Sequence, residues 1–62
     1  MIKLGDIFYV KPGTADHRYD RIPVIVFEIR ENFCRVRFVI PGEGYHGEWS
    51  FSLDNMRHYL ER

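Results

Sequence analysis

The chain has 62 residues, nine basic and nine acidic, with no formal net charge at pH 7 and one cysteine, Cys34. That length leaves room for a single domain, residues 1–62, which buries about 60% of the surface its unfolded form exposes. A lone cysteine excludes an internal disulfide, and without a Cys-x-x-Cys or His-x-x-x-His pair no structural zinc is expected.

So small a core has to be efficient or shared. An aromatic content of 16% suits a tightly packed aromatic and β-branched interior, and it also permits self-association. The balanced charge argues against the diffuse phosphate attraction of a nucleic-acid-coating protein. Seven of the nine basic residues are arginines, whose planar forks suit specific interfaces better than bulk charge does. The opening Met1–Phe8 has no long apolar run and no small-residue cleavage site, so neither a signal peptide nor a membrane span is expected. Together with the lone cysteine this points to a cytoplasmic location.

Gly5-Asp6 reads as a turn into a first strand, Ile7–Lys11, with Phe8 and Val10 inward and Tyr9 outward, ending at Pro12-Gly13. Residues 12–21 lack periodicity and form a loop. The β-branched run Ile22–Ile29 predicts a second strand, buried on both faces at its bend, with Pro23 tolerated at its start. Arg30–Phe33 predicts a hairpin turn, with Asn32 able to take a positive φ. Residues 34–40 alternate: Cys34, Val36, Phe38 and Ile40 share one face, and Phe33, Arg35, Arg37 and Val39 the other. A second loop, Pro41–Gly47, has three glycines, and Glu48–Leu53 alternates again with Trp49, Phe51 and Leu53 inward.

The tail, Leu53–Arg62, admits two readings. Ser52 could cap a short helix with Leu53, Met56 and Leu60 along one side. Alternatively a 3₁₀ turn over Leu53–Arg57 leads to a last strand, His58–Glu61. The second is preferred, because a fifth strand would close a barrel and hide the edges that four strands leave open. The fold expected is all-β: a five-stranded barrel with a 3₁₀ turn or short helix near the C-terminus.

The order of strands and turns resembles SH3-like small barrels over nearly the whole chain. Gly5-Asp6-x-Phe8-x-Val10 is similar to the opening of KOW-type barrels. Val36-Arg37-Phe38, followed by Leu53-Asp54-Asn55-Met56-Arg57, is more loosely similar to Tudor domains. The plasmid-encoded type II dihydrofolate reductase is a comparable short barrel, and short proteins of phages and plasmids also resemble this chain. That reductase carries Val-Gln-Ile-Tyr in the strand where this sequence has Glu48-Trp49-Ser50-Phe51. Lacking the glutamine and isoleucine, and with a tryptophan across the would-be pore, the chain is not expected to be a reductase.

Thr14–Arg21, TADHRYDR, concentrates the reactive side chains Asp16, His17 and Asp20 beside Arg18 and Arg21. Those arginines would neutralise the carboxylates as surface ion pairs, so a salt-bridged loop or a contact loop is expected there and a catalytic or metal site is not. His46 and His58 have no ligand at useful spacing, and inward-facing Cys34 reads as a small buried hydrophobe. Gly42-x-Gly44-x-x-Gly47 spells a dinucleotide fingerprint but opens no helix, so no cofactor is expected.

A docking surface is the stronger signal. Tyr9, Tyr19, Phe33 and Tyr45 are expected on the outside, interleaved with Arg18, Arg21, Arg35 and Arg37, and these are residue types enriched at binding hot spots. In SH3-like barrels the groove between the first loop and the second hairpin loop is the usual contact surface. The resemblance therefore implies TADHRYDR and the Tyr45-His46 loop as its two lips. The function expected is a non-enzymatic module that docks on or inhibits a protein partner. The alternative is nucleic acid, with Arg35 and Arg37 on phosphates and aromatic rings stacking on bases. A homodimer through an unpaired strand edge is a further expectation.

Overall fold

A computed structural model of the chain describes the backbone of residues 1–40 and 44–62 and the side chains of residues 1–38 and 47–62. The strands are β1 (Ile7–Val10), β2 (Pro23–Ile29), β3 (Phe33–Ile40), β4 (Gly44–Ser52) and β5 (Leu60–Glu61). A 3₁₀ turn, His17–Tyr19, interrupts the first loop, and one helical turn, α1 (Met56–Tyr59), precedes β5. The strands form one curled antiparallel sheet in the order β4-β3-β2-β1-β5, a half-barrel with β4 and β5 at its edges.

The period-two pattern sets the inner face. Phe8 and Val10 of β1, Val24 and Val26 of β2, and Cys34, Val36 and Phe38 of β3 are all buried, as are Met56 and Leu60 from the tail. In register, Phe8 lies opposite Val24 and Val24 opposite Phe38, so one row of the core crosses three strands. Fully burying a valine is worth about 1.5 kcal/mol or more, and four of them here are at most 1% exposed. Cys34 is buried, its Sγ 3.9 Å from Met56 Sδ, and burial pushes its thiol pKa up.

β2 departs from the expected two-faced burial, for a specific reason. Val26 pairs with Val36 but Glu28 pairs with Arg35, a register shift that places two residues, Phe27 and Glu28, against a single step of β3. Plain alternation would have turned Glu28 inward with Val24 and Val26. The bulge instead brings both Phe27 and Glu28 against the outward arginines and lets Ile29 return to pack on the core.

Three expected boundaries move. Phe33 belongs to β3 and not to the turn, and Arg30 N–H donates to Phe33 C=O at 2.8 Å to close the hairpin. Among the described residues, the one non-glycine with a positive φ is Arg21, at +62°, and not Asn32. β4 starts at Gly44, the fourth residue of the expected second loop, so Gly44–Gly47 are strand. The tail combines both alternatives: a helical turn over Met56–Tyr59 and a two-residue strand immediately after it. Ser52 does act at the head of the tail, accepting from Asn55 N–H through both its carbonyl (3.0 Å) and its Oγ (3.2 Å).

Arg21 is exposed, and its N–H donates to Val10 C=O at 2.8 Å, so its left-handed backbone is set by the return of the loop onto β1. A left-handed conformation costs an L-residue roughly 1–2 kcal/mol, partly offset by the extra freedom a glycine would have when unfolded. Arg21→Gly is therefore expected to stabilise the fold by about 0.5 kcal/mol in urea denaturation. A loss of stability would mean that the Arg21 side chain contributes more than its backbone costs.

Candidate functional site

The sheet curls without closing, and the gap between β4 and the β1–β5 side is a groove of about 270 Å³. Val10 lies at the end of β1 on its floor. Thr14 and Ala15 form one wall, Trp49, Ser50 and Phe51 of β4 the other, and Tyr59 stands at one end.

Local chemistry fixes each wall. Gly13, with φ at +84°, turns the chain after Pro12, and Thr14 Oγ1 donates to Lys11 C=O at 2.7 Å. Asp20 Oδ1 accepts from Gly13 N–H at 3.2 Å, and Asp16 Oδ1 caps the 3₁₀ turn by accepting from Arg18 N–H at 3.1 Å. The two carboxylates of TADHRYDR therefore hold the loop's backbone. The ion pairs of Asp16 with His17 (3.7 Å) and Arg18 (3.6 Å) are long and exposed, a kind that contributes little. Among the described residues no group of three His, Cys, Asp or Glu side chains could hold a metal.

The opposite wall is a run of rings. Tyr19 stacks on Phe38 (5.4 Å between centroids), Trp49 meets Phe38 edge-on (4.0 Å) and Phe51 edge-on (5.8 Å), and Phe51 packs against Tyr59 (5.4 Å). Tyr59 is held in place through the backbone, where Lys11 N–H donates to its carbonyl at 2.8 Å and Lys11 Nζ reaches the Arg57 carbonyl.

On the other side of the sheet lies a charged face. Arg35 bridges Glu28 (3.2 Å) and Glu48 (2.6 Å), Arg37 lies 3.7 Å from Glu48, and Arg30 binds Glu28 at 2.5 Å. The Arg37 guanidinium lies 4.2 Å from the centre of the Phe27 ring, and that of Arg35 lies 5.4 Å from it.

The residues singled out from the sequence are thus dispersed. Tyr9 is exposed on the outer face, opposite Pro23 and Glu61, and Phe33 is half-buried opposite Ser52 on the β3–β4 ladder. Arg35 and Arg37 lie on the charged face. Arg18 and Arg21 are exposed in the first loop. Tyr19, expected to project into solvent, is half-buried because its ring covers Phe38 and Trp49 at the open side of the sheet. The side chains of Tyr45 and His46 lie outside the described residues, as does the tip of their loop. The groove's own residues were missed. Alternation assigns Trp49 and Phe51 to the interior, which is right for the face they occupy but overlooks that the sheet stays open above them.

The hydrogen bond from Arg30, above all, holds the Glu28 carboxyl below its ordinary pKa of 4.5; desolvation opposes it, and the charges of Arg30 and Arg35 add smaller lowering effects. Such a group adds stability above its ordinary pKa and loses that contribution as pH falls through the lowered value. In an NMR titration, Glu28 should protonate at lower pH than an unpaired glutamate. Arg30→Met should raise its midpoint more than Arg35→Met; the reverse order would make Arg35 the dominant partner.

No helix among the described residues is long and apolar enough to cross a membrane. Comparison with protein-family models, with curated proteins and with solved structures returns no match, so the groove and the charged face are themselves the basis for assigning a role.

Proposed function

We propose that the chain is a non-enzymatic docking module, an SH3-like half-barrel working in the cytoplasm, that holds a protein partner in the groove beside β4. The carrying observation is the groove's composition: Val10, Ala15, Trp49, Phe51 and Tyr59 present mostly apolar surface, with Thr14 and Ser50 as polar points of contact. Concave apolar surface with a few polar groups is what a side chain of a partner protein fills. The first loop takes part through Thr14 and Ala15, and Arg18 and Arg21 are exposed farther along the same loop.

Binding of nucleic acid has less behind it. Arg35 and Arg37 already face Glu28 and Glu48, so a phosphate would have to displace a carboxylate and sit beside the other. None of the described residues that line the groove is basic.

Ala15 is exposed, so Ala15→Arg fills the mouth of the groove without touching the core. Co-purification with the wild-type chain as bait should capture a protein that the Ala15→Arg bait loses by at least tenfold. Equal capture by both would remove the groove from the mechanism. Binding to single-stranded DNA or RNA with a log–log salt slope of about −2 to −3 would indicate a nucleic-acid ligand instead.

A further inference from the structure

We infer that the free edge of β4 pairs with β4 of a second copy of this chain, in antiparallel register with Ser50 on the two-fold axis. This rests on the groove being a protein-docking surface, and it names one occupant.

The sheet's two edges differ. β5 is two residues long, which is itself a protection against edge pairing. β4 has nine residues, and the part whose side chains are described, Gly47–Ser52, contains no lysine or proline to discourage a neighbour.

Register shows which groups of β4 point outward. Leu53 N–H donates to Asn32 C=O at 3.1 Å, one step beyond the Ser52–Phe33 pair. Hydrogen-bonded pairs recur every second residue, so Phe51–Cys34 and Trp49–Val36 are bonded across the ladder. The backbone N–H and C=O groups of Glu48, Ser50 and Ser52 therefore point away from β3, toward the unpaired side. Of these, the Ser52 carbonyl is engaged by Asn55 N–H.

Three symmetric registers place an outward-facing residue itself on the axis, and they are not equivalent. Centring on Glu48 puts two like carboxylates face to face. Centring on Ser52 uses the engaged carbonyl and runs off the end of the strand. Centring on Ser50 places Glu48 opposite Ser52 of the second copy, with no like charges opposed. It also allows Ser50 N–H to reach the second Ser50 carbonyl and Ser52 N–H the second Glu48 carbonyl, each with its symmetry-related counterpart, and it leaves the engaged Ser52 carbonyl out of the ladder. On the inner side the same register sets Trp49 beside Phe51 of the second copy, and cross-strand aromatic pairs of this kind stabilise sheets. The two grooves would then face each other across a shared aromatic layer.

Proline at an outward-facing edge position removes no ladder hydrogen bond, so Ser50→Pro should keep the fold while raising the dimer dissociation constant at least tenfold. Sedimentation of the full chain from about ten micromolar to about one millimolar should show a concentration-dependent dimer for wild type and a monomer for Ser50→Pro, with matching circular dichroism. Ser50→Glu and Ser50→Lys, each alone, place like charges across the axis and should be monomeric, and mixing them should restore a dimer. A wild-type monomer throughout, or a dimer that both Ser50→Pro and the separate charged variants leave intact, overturns the inference. If wild type is monomeric yet Ala15→Arg still abolishes capture of another protein, docking in the groove survives and self-pairing does not.

Discussion

The register shift in β2 is the constraint on which the two faces of the sheet depend. A strand that alternated without interruption from Val24 to Ile29 would carry Glu28 into a core of valines, where an ionised carboxylate costs several kcal/mol even after relaxation. One extra residue between Val26 and Glu28 turns the carboxylate out and returns Ile29 to the interior. The same step supplies the outer face with its shared anion. Glu28 then holds Arg30 and Arg35, while Phe27 lies under the guanidinium groups of Arg35 and Arg37. Core purity and surface charge balance follow from a single bulge.

The sheet's curvature does the rest. Bulges increase local twist, and a second shift lies between Arg37 and Val39 on the β3–β4 ladder. The strands bend far enough to wrap the small side chains of Val10, Val24, Cys34 and Val36, but β4 and β5 do not meet. Tyr19, Trp49, Phe51 and Tyr59 close the inner surface where strand pairing stops. Trp49 and Phe51 are half-buried for this reason: one side packs on the core and the other lines the groove. The aromatic content thus serves the core and the groove lining with the same rings.

Much of the fold was legible in the alternation. Phe8 and Val10, and Cys34, Val36 and Phe38, fall on the inner face as the pattern requires, because side chains must alternate along any strand. The bulge was not legible, since Ile-Val-Phe-Glu-Ile reads equally as a buried run. Nor was Arg21's left-handed backbone, which the docking of the loop onto Val10 imposes. At the candidate site the sequence pointed to loop residues with conspicuous chemistry, but the carboxylates of Asp16 and Asp20 hold backbone amides. The groove is lined by residues such as Ala15 and Ser50, which carry no signal until the chain is folded around them.

The way the half-barrel is tied together distributes its strength unevenly. β2, β3 and β4 are successive hairpins whose partners are close in sequence, so little chain entropy is lost in bringing them together. β5 joins β1 through only two residue pairs, and the Lys11–Arg57 contact spans 46 positions. The end of the groove where Tyr59 stands is therefore the most costly to assemble and is fastened by few strand pairs, a latch on an otherwise continuous meander. The groove thus joins a wall built into the continuous sheet to an end held by the shortest strand, above a valine layer that neither interrupts.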